Sequence, residues 1–273
     1  MSKKQRIRSA LIFVGLMIVF LIGSILTANP HKSHGNIQES MRDAVLHETG
    51  RISILGDFTV NPGLVSAFVV TGMLFIIALI LRIFFIPRFT IVPGKVQLLL
   101  EQAVNLFDNM VKGNSPHRNK FLSAYVFAIG VYIFFGTMFE LLGIQVVTVQ
   151  GTSLSLPAPM SDINCAICIG CMSYLVIMSG GIAENGLKGI VKTLKDFSLP
   201  ISMSFRLFGA LLSGALVTEL VYHFSALSYG VPVLVGVMFT VLHALIQAYV
   251  LTMLTSLFYG EVSEPPHIEH QKQ

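Results

Sequence analysis

Long uninterrupted apolar runs determine where this 273-residue chain can fold. A helix needs about 20 residues to cross the hydrocarbon core of a bilayer, and six runs are candidates for such spans. Because backbone groups in lipid must be hydrogen-bonded within the protein, only helices and closed barrels can cross. The runs do not alternate between polar and apolar residues, so helices are favoured over barrel strands. The predicted spans are residues 10–28, 63–86, 121–144, 162–182, 200–224 and 231–259.

The composition agrees with a membrane environment. Charged residues make up 12% of the chain, whereas soluble domains carry about 25%. Disordered chains are rich in charge and poor in apolar residues, and three cysteines are too few for a disulfide scaffold. The net charge of +4 gives little support for nucleic-acid binding. The sequence therefore predicts an all-α polytopic membrane protein with about six transmembrane helices, of which the last two are long and strongly tilted.

The distribution of Lys and Arg predicts the orientation of the chain. These residues are concentrated in 1–9, 82–120 and 184–198, whereas 145–161 and 225–230 contain none. Short loops that are rich in Lys and Arg stay on the cytoplasmic side. We therefore expect both termini to be cytoplasmic.

Two regions are predicted along the chain. Residues 1–62 comprise an anchor helix at 10–28 and an external segment, and residues 63–273 form the membrane domain. A basic start before an apolar run is also typical of a cleavable signal peptide. Leu26 does not suit the third position before a cleavage site, so we favour a retained anchor.

The segment after the second predicted span has a different pattern. Following Val-Pro-Gly-Lys at 92–95, apolar residues recur at helical spacing opposite polar ones. This pattern predicts a helix that lies in the cytoplasmic interface.

Arg206 is the most unusual residue within a predicted span. A charged side chain at the centre of a bilayer costs about 2.5–3.5 kcal/mol on insertion scales, so its presence suggests a function. Arg206 lies only six residues after Pro200, where the fifth span begins. Its side chain could therefore instead extend to the cytoplasmic interface, about 9 Å away along a helix.

Five short motifs resemble subunit a of the bacterial F-type ATP synthase, and the resemblance covers about residues 57–264. It is strongest near Arg206 and in the last span. The motifs are Arg-Leu-Phe-Gly at 206–209, Leu-Ile-Gln-Ala-Tyr-Val at 245–250, Val-Pro-Gly-Lys at 92–95, Phe-Glu-Leu-Leu at 139–142 and Ser-Asp-Ile-Asn at 161–164.

The resemblance implies a function and a set of partners. Subunit a is the stator channel beside a rotating ring of c subunits, and the essential arginine of the family corresponds to Arg206. The implied partners are the c ring, the b subunits of the peripheral stalk, membrane lipid and the transported H+ or Na+. No cofactor, metal, nucleotide or nucleic acid is implied, and the chain is not an enzyme on its own. The implied location is the bacterial plasma membrane.

Polar residues in or beside the spans are candidates for an ion path. Glu219 follows Arg206 by 13 positions, which corresponds to a rotation of about 220° and so to nearly the opposite helix face. His243 and Gln247 are four residues apart and share one face. Glu219 and His243 could also be hydrogen-bonded core residues. The candidate path residues are Glu219, His243, Gln247, Glu140, Asp162 and Asn164.

Three positions depart from the family pattern. Ala210 replaces the usual asparagine, Ala215 the usual glutamate, and Thr240 the usual histidine. Glu219 is rotated about +40° from Ala215, and His243 about −60° from Thr240. We therefore hypothesise that the acid–histidine pair has moved by about one turn and has not been lost.

Other interpretations have less support. Cys165, Cys168 and Cys171 are spaced like cluster ligands, but the chain has no fourth cysteine. We interpret all three as small apolar residues of a membrane helix. An alternative function is a self-contained proton-coupled secondary transporter, which the lack of an internal repeat disfavours. A membrane-embedded enzyme is also possible, although no catalytic motif is present.

Overall fold

A computed structural model of the protein describes residues 52–54, 58–116, 119–147, 153–223 and 231–264, together with Gly15 and Ile18. Five helices in these residues are long and apolar enough to cross a membrane. The all-α polytopic fold class is confirmed. Apart from Gly15 and Ile18, the predicted first span at 10–28 lies outside the described residues.

Seven α-helices carry the fold in the described part of the chain. They are α1 (Pro62–Ile80), α2 (Lys95–Asn114), α3 (Asn119–Met138), α4 (Ile163–Asn185), α5 (Leu187–Leu194), α6 (Ser198–His223) and α7 (Val231–Val262). Helix α1 continues through a π-helical turn and a 3-10 turn to Arg88. Asn61 caps α1 by accepting a hydrogen bond from the Gly63 amide at 3.0 Å, and Pro62 suits the first turn because it has no amide hydrogen.

Most helices coincide with predicted segments. Helices α1, α3, α4, α6 and α7 cover the five later spans, and α2 is the helix predicted after Val-Pro-Gly-Lys. The predicted span at 121–144 is divided, because α3 ends at Met138 and a 3-10 turn follows over Phe139–Leu142.

Two short antiparallel hairpins were not predicted. Strand β1 (Ile52–Ile54) pairs with β2 (Phe58–Val60), with Ile52 opposite Val60. Strand β3 (Gln145–Val147) pairs with β4 (Ser153–Ser155), with Gln145 opposite Ser155. Three-residue strands contain too few residues to establish an alternating pattern in the sequence.

The chain divides into two compact units. One consists of Thr49–Leu212 and Thr240–Gln273, and its core brings together buried residues of α2, α3, α4, α6 and α7. Its largest fully buried side chains include Leu122, Ile133, Met160, Ile177, Met203 and Leu207. The other unit consists of Met1–Glu48 and Ser213–Phe239, of which the structure describes Gly15, Ile18 and parts of α6 and α7.

Helix α5 folds back along α4. The chain reverses at Gly186, whose φ of 58° is unfavourable for residues with a side chain. A Cβ atom on Gly189 would collide with the Gly181 carbonyl group, so the two helices touch through their backbones. Tyr174 then donates a hydrogen bond to the Thr193 carbonyl at 3.0 Å. The connection between α4 and α6 is therefore an antiparallel helical segment packed on α4.

The last turns of α7 pack against the same helices. Asn185 donates to the Val262 carbonyl at 2.9 Å, and the Lys192 ammonium bonds to the Glu261 carbonyl. The Tyr259 ring lies against Gly180. These contacts fix the end of α7 beside the reversal between α4 and α5.

Helix α2 is held against α3 by one apolar and one polar contact. The Phe107 ring packs edge-to-face on Phe127, with ring centroids 5.7 Å apart. The Ser123 hydroxyl donates to the Asp108 carboxylate at 2.7 Å, and Lys112 pairs with the same carboxylate. The hydrogen bond from Lys112 has the largest effect on the Asp108 carboxyl group and lowers its pKa. The hydrogen bond from Ser123 lowers it further.

We predict that Gly189→Ala destabilises the protein, because neither backbone can move away without separating α5 from α4. Overpacking of this kind costs about 1–3 kcal/mol. The apparent melting temperature of the full chain, followed with a thiol-reactive dye, should fall. Gly72→Ala is the matched control, since a Cβ there meets nothing within 4 Å. Equal melting temperatures for the two variants would contradict the tight contact.

We also predict that Asp108 contributes to acid sensitivity. A carboxylate with a lowered pKa stabilises the folded state above its ordinary pKa, and this stabilisation is lost as the pH falls towards the lowered value. The melting temperature of the parent should therefore decline more than that of Asp108→Asn when the pH falls from 6 to about 3. Glu101→Gln, on the same helix, should behave like the parent. If the melting temperatures of the parent and of Asp108→Asn fall equally with pH, Asp108 does not contribute to acid sensitivity.

Candidate functional site

Arg206 lies on the face of α6 that points away from the core. Met203 and Leu207, which are about 60° and 100° from Arg206 around the helix, are each only 1% exposed, whereas Phe205 is 62% exposed and Arg206 is also exposed. The guanidinium makes no hydrogen bond or ion pair with any residue that the structure describes. Arg206 is therefore accessible to a group from outside this chain.

The crossing of α6 and α4 locates Arg206 along the bundle. A Cβ on Gly170 would collide with Ser204 Oγ and would lie 2.9 Å from the Pro200 carbonyl oxygen. By helix rise, Gly170 lies about 10 Å from the first residue of α4 and about 22 Å from Asn185. Arg206, half a turn beyond Ser204, is thus close to a crossing between the two ends of α4. It is not near the end of α4 at Asn185.

His243 and Gln247 lie one turn apart on α7, as their spacing predicts. His243 is half-buried and Gln247 is 6% exposed, beside Ala248 and Leu251 in the core. The exposed residues of this stretch are on another face: Leu242, Leu245, Ile246 and Tyr249. The imidazole and the carboxamide therefore belong to the inward side of α7.

Glu219 lies on α6, in the same helix as Arg206. Its side chain is outside the described residues. The backbone is helical across the 13 positions between the two residues, as their predicted placement on different helix faces requires.

Asp162 and Asn164 come together at the start of α4. The Asp162 carboxylate accepts from the Asn164 amide N–H at 3.0 Å and from its side-chain nitrogen at 3.1 Å, which makes Asp162 the cap of α4. A Cβ on Gly63 would lie 2.8 Å from Asp162 Cβ, so the start of α1 packs against this cap. Glu140 is exposed on the separate 3-10 turn that follows α3.

Hydroxyl groups between the helices were not among the candidates. Tyr125 on α3 and Ser173 on α4 share a 2.9 Å hydrogen bond, and Ser173 is fully buried. Phenols in otherwise apolar spans could have indicated such pairs, because a buried tyrosine hydroxyl usually finds a partner.

The described residues contain no group of three or more His, Cys, Asp or Glu residues that could hold a metal ion. All three cysteines are free. Cys165 is half-buried, and Cys168 and Cys171 are exposed.

Comparisons with known proteins give one consistent result. The family model for the ATP synthase A chain matches residues 64–260. The chain is similar to ATP synthase subunit a of Shewanella sp. strain ANA-3, with 26% identity over 63% of this chain and 77% of the relative. It is also similar to subunit a of Shewanella amazonensis, with 27% identity over the same shares. Because the family model covers more than half of the chain, including Arg206 and its neighbours, the chain belongs to the ATP synthase A chain family, whose members are subunits of the Fo membrane sector.

Proposed function

We propose that this chain is the ion-translocating stator subunit of an F-type ATP synthase, with Arg206 as the counter-charge to the carboxylate of a rotating c ring. Two half-channels connect the ring to opposite sides of the membrane. The observation that carries the proposal is the exposed Arg206, which has no partner among the described residues and lies near the crossing of α4 and α6. A charge in that position is costly unless an opposite charge meets it there.

The chemistry of a guanidinium fits this role. Arg keeps its proton at any physiological pH, and its planar group pairs well with a carboxylate. A ring carboxylate that arrives protonated would release its proton beside Arg206, because a nearby positive charge favours the ionised form. The same charge prevents a proton from passing directly between the half-channels. Arg206 therefore separates the two paths and does not itself carry protons.

The polar candidates supply the path on the external side. Glu219 and His243 exchange protons between water and the ring, and the Gln247 carboxamide offers hydrogen bonds along the path. Glu140, Asp162 and Asn164 lie towards the mouth. Support for this assignment comes from the inward side of α7, which holds His243 and Gln247, and from the placement of Asp162 and Asn164 together at the start of α4. Both termini are then cytoplasmic, in a bacterial plasma membrane.

The outward faces of α6 and α7 provide the surface for the c ring. Phe205 beside Arg206 is 62% exposed, and Leu245 and Tyr249 on α7 are each 55% exposed. An exposed apolar surface of this kind can pack against the helices of another subunit through van der Waals contacts. The b subunits of the peripheral stalk bind elsewhere on the chain. The chain binds no nucleotide, and the transported ion is H+ or Na+.

We predict that Arg206→Ala abolishes ATP synthesis, and that Arg206→Lys largely does so because an ammonium lacks the planar pairing geometry. Passive proton conductance of the membrane sector should persist or rise in the Ala variant, because the charge barrier has gone. Membrane vesicles would report both quantities. Ser202→Ala, on the same exposed face, is the control and should retain synthesis. Normal ATP-driven proton pumping by Arg206→Ala would refute the assignment.

We predict that Glu219→Gln and His243→Ala each reduce proton flux, because each removes a group that exchanges protons in the external path. The measurement is ATP-driven acidification of vesicles that contain the whole complex. Thr240→Ala, at the position of the family's usual histidine, should have a smaller effect than His243→Ala. If neither Glu219→Gln nor His243→Ala alters flux, the pair has not moved to these positions.

Purification separates this function from that of a self-contained transporter. Tagged chain should co-purify with an oligomeric c ring. Proton-coupled transport by the purified chain alone in liposomes would instead favour the transporter.

A further inference from the structure

A cavity of about 560 Å³ lies between α1, α3 and α4. On α4 it extends from Asp162 to Met172, and on α1 from Leu64 to Thr71. It is therefore in the half of the bundle where α1 and α4 begin. Arg206, His243 and Gln247 do not line it, and neither does Glu140.

The cavity walls are almost entirely apolar, although several lining residues carry polar atoms. Among those atoms, the Tyr125 hydroxyl bonds to Ser173, the Thr71 hydroxyl donates to the Ala67 carbonyl at 2.6 Å, and the Asp162 carboxylate accepts from Asn164. A buried water needs about two to four polar partners, and these groups already have partners within the protein. The interior therefore suits an apolar occupant better than a water chain.

The cavity is open towards the bilayer. Leu64 and Met172, which line it, are 46% and 45% exposed, and Cys168 is exposed as well. All three belong to helices that are long and apolar enough to cross a membrane, so we expect lipid at the opening. An apolar cavity of about 150 Å³ holds one benzene molecule, so 560 Å³ has room for roughly 20 carbon atoms. That volume corresponds to a single acyl chain.

We propose that this cavity binds one acyl chain of a membrane phospholipid. The acyl chain enters between α1 and α4 and occupies the space beside Cys165 and Ala128. Asp162 is the one charged residue among the described residues that line the cavity, and it lies at one end. A lipid headgroup with an ammonium group, such as that of phosphatidylethanolamine, therefore best complements the negative charge of Asp162.

The first experiment uses phosphatidylethanolamine with a photoreactive diazirine in the middle of one acyl chain. The full-length chain in its assembled complex is placed in bilayers that contain this lipid, and labelled peptides are identified by mass spectrometry. We expect labelling at Tyr132 and Cys165. Ala128→Leu, which fills the cavity, should abolish this labelling, and Ala67→Leu from the opposite wall should do the same.

The matched control is Ala124→Leu, which adds the same side chain one turn earlier on α3, at an exposed position that does not line the cavity. It should leave the labelling unchanged. Equal labelling of Tyr132 and Cys165 in Ala128→Leu, Ala67→Leu and Ala124→Leu would overturn the proposal. Labelling by a diazirine fatty acid but not by the phospholipid would overturn the choice of a phospholipid.

The second experiment tests for water with the natural cysteines. A charged methanethiosulfonate, added to both sides of the membrane, should modify Cys165 and Cys168 no faster than Cys171, which does not line the cavity. Removal of bound lipid with detergent should increase the reaction of Cys165 with a small uncharged maleimide, and added phosphatidylethanolamine should reverse the increase. Rapid modification of Cys165 by the charged reagent in intact bilayers would show an aqueous cavity and overturn the proposal.

Discussion

The backbone contact between Gly181 and Gly189 governs the arrangement of the functional helices. It holds α5 antiparallel against α4, and Tyr174 extends the contact by bonding to the Thr193 carbonyl at 3.0 Å. The chain therefore returns towards the middle of α4 before α6 begins at Ser198. A connection that simply joined the two helix ends would start α6 beside Asn185, about 22 Å along α4 from Gly170. The position of Arg206 along α4 follows from this fold-back.

The same arrangement explains why Arg206 faces outward. Helix α6 crosses α4 at Gly170, where the absent side chain lets Ser204 and the Pro200 carbonyl approach closely. Ser204 faces this contact and Met203 and Leu207 are buried, so Phe205 and Arg206 remain on the exposed side of α6. The described residues leave this charge exposed, and a charge within a membrane is costly unless an opposite charge meets it. The carboxylate of the proposed c-ring contact would supply that opposite charge.

The sequence predicted the elements much better than their packing. The apolar runs were sufficient for five spans, and the periodic pattern after Val-Pro-Gly-Lys was sufficient for α2. Helix α5 was not predicted, because eight residues give little more than two turns of periodicity and the connection between two spans was expected to be a loop. The hairpins were missed for the same reason. The depth of Arg206 depends on which glycine faces which backbone, and periodicity contains no information about such contacts.

For the candidate ion path, too, the sequence identified suitable residue types but not the contacts that each residue makes. Asp162 was a candidate because an acid at the end of a span could serve an ion path. Its carboxylate caps α4, and a cap contributes about 1 kcal/mol by itself, so this position requires a short polar side chain whether or not ions pass it. Gln247 does not have this capping role, because it lies within a continuous helix and not at a helix end. Its buried position on α7 is therefore not explained by the local helix geometry, and the proposed external path gives it a reason to be there beside His243.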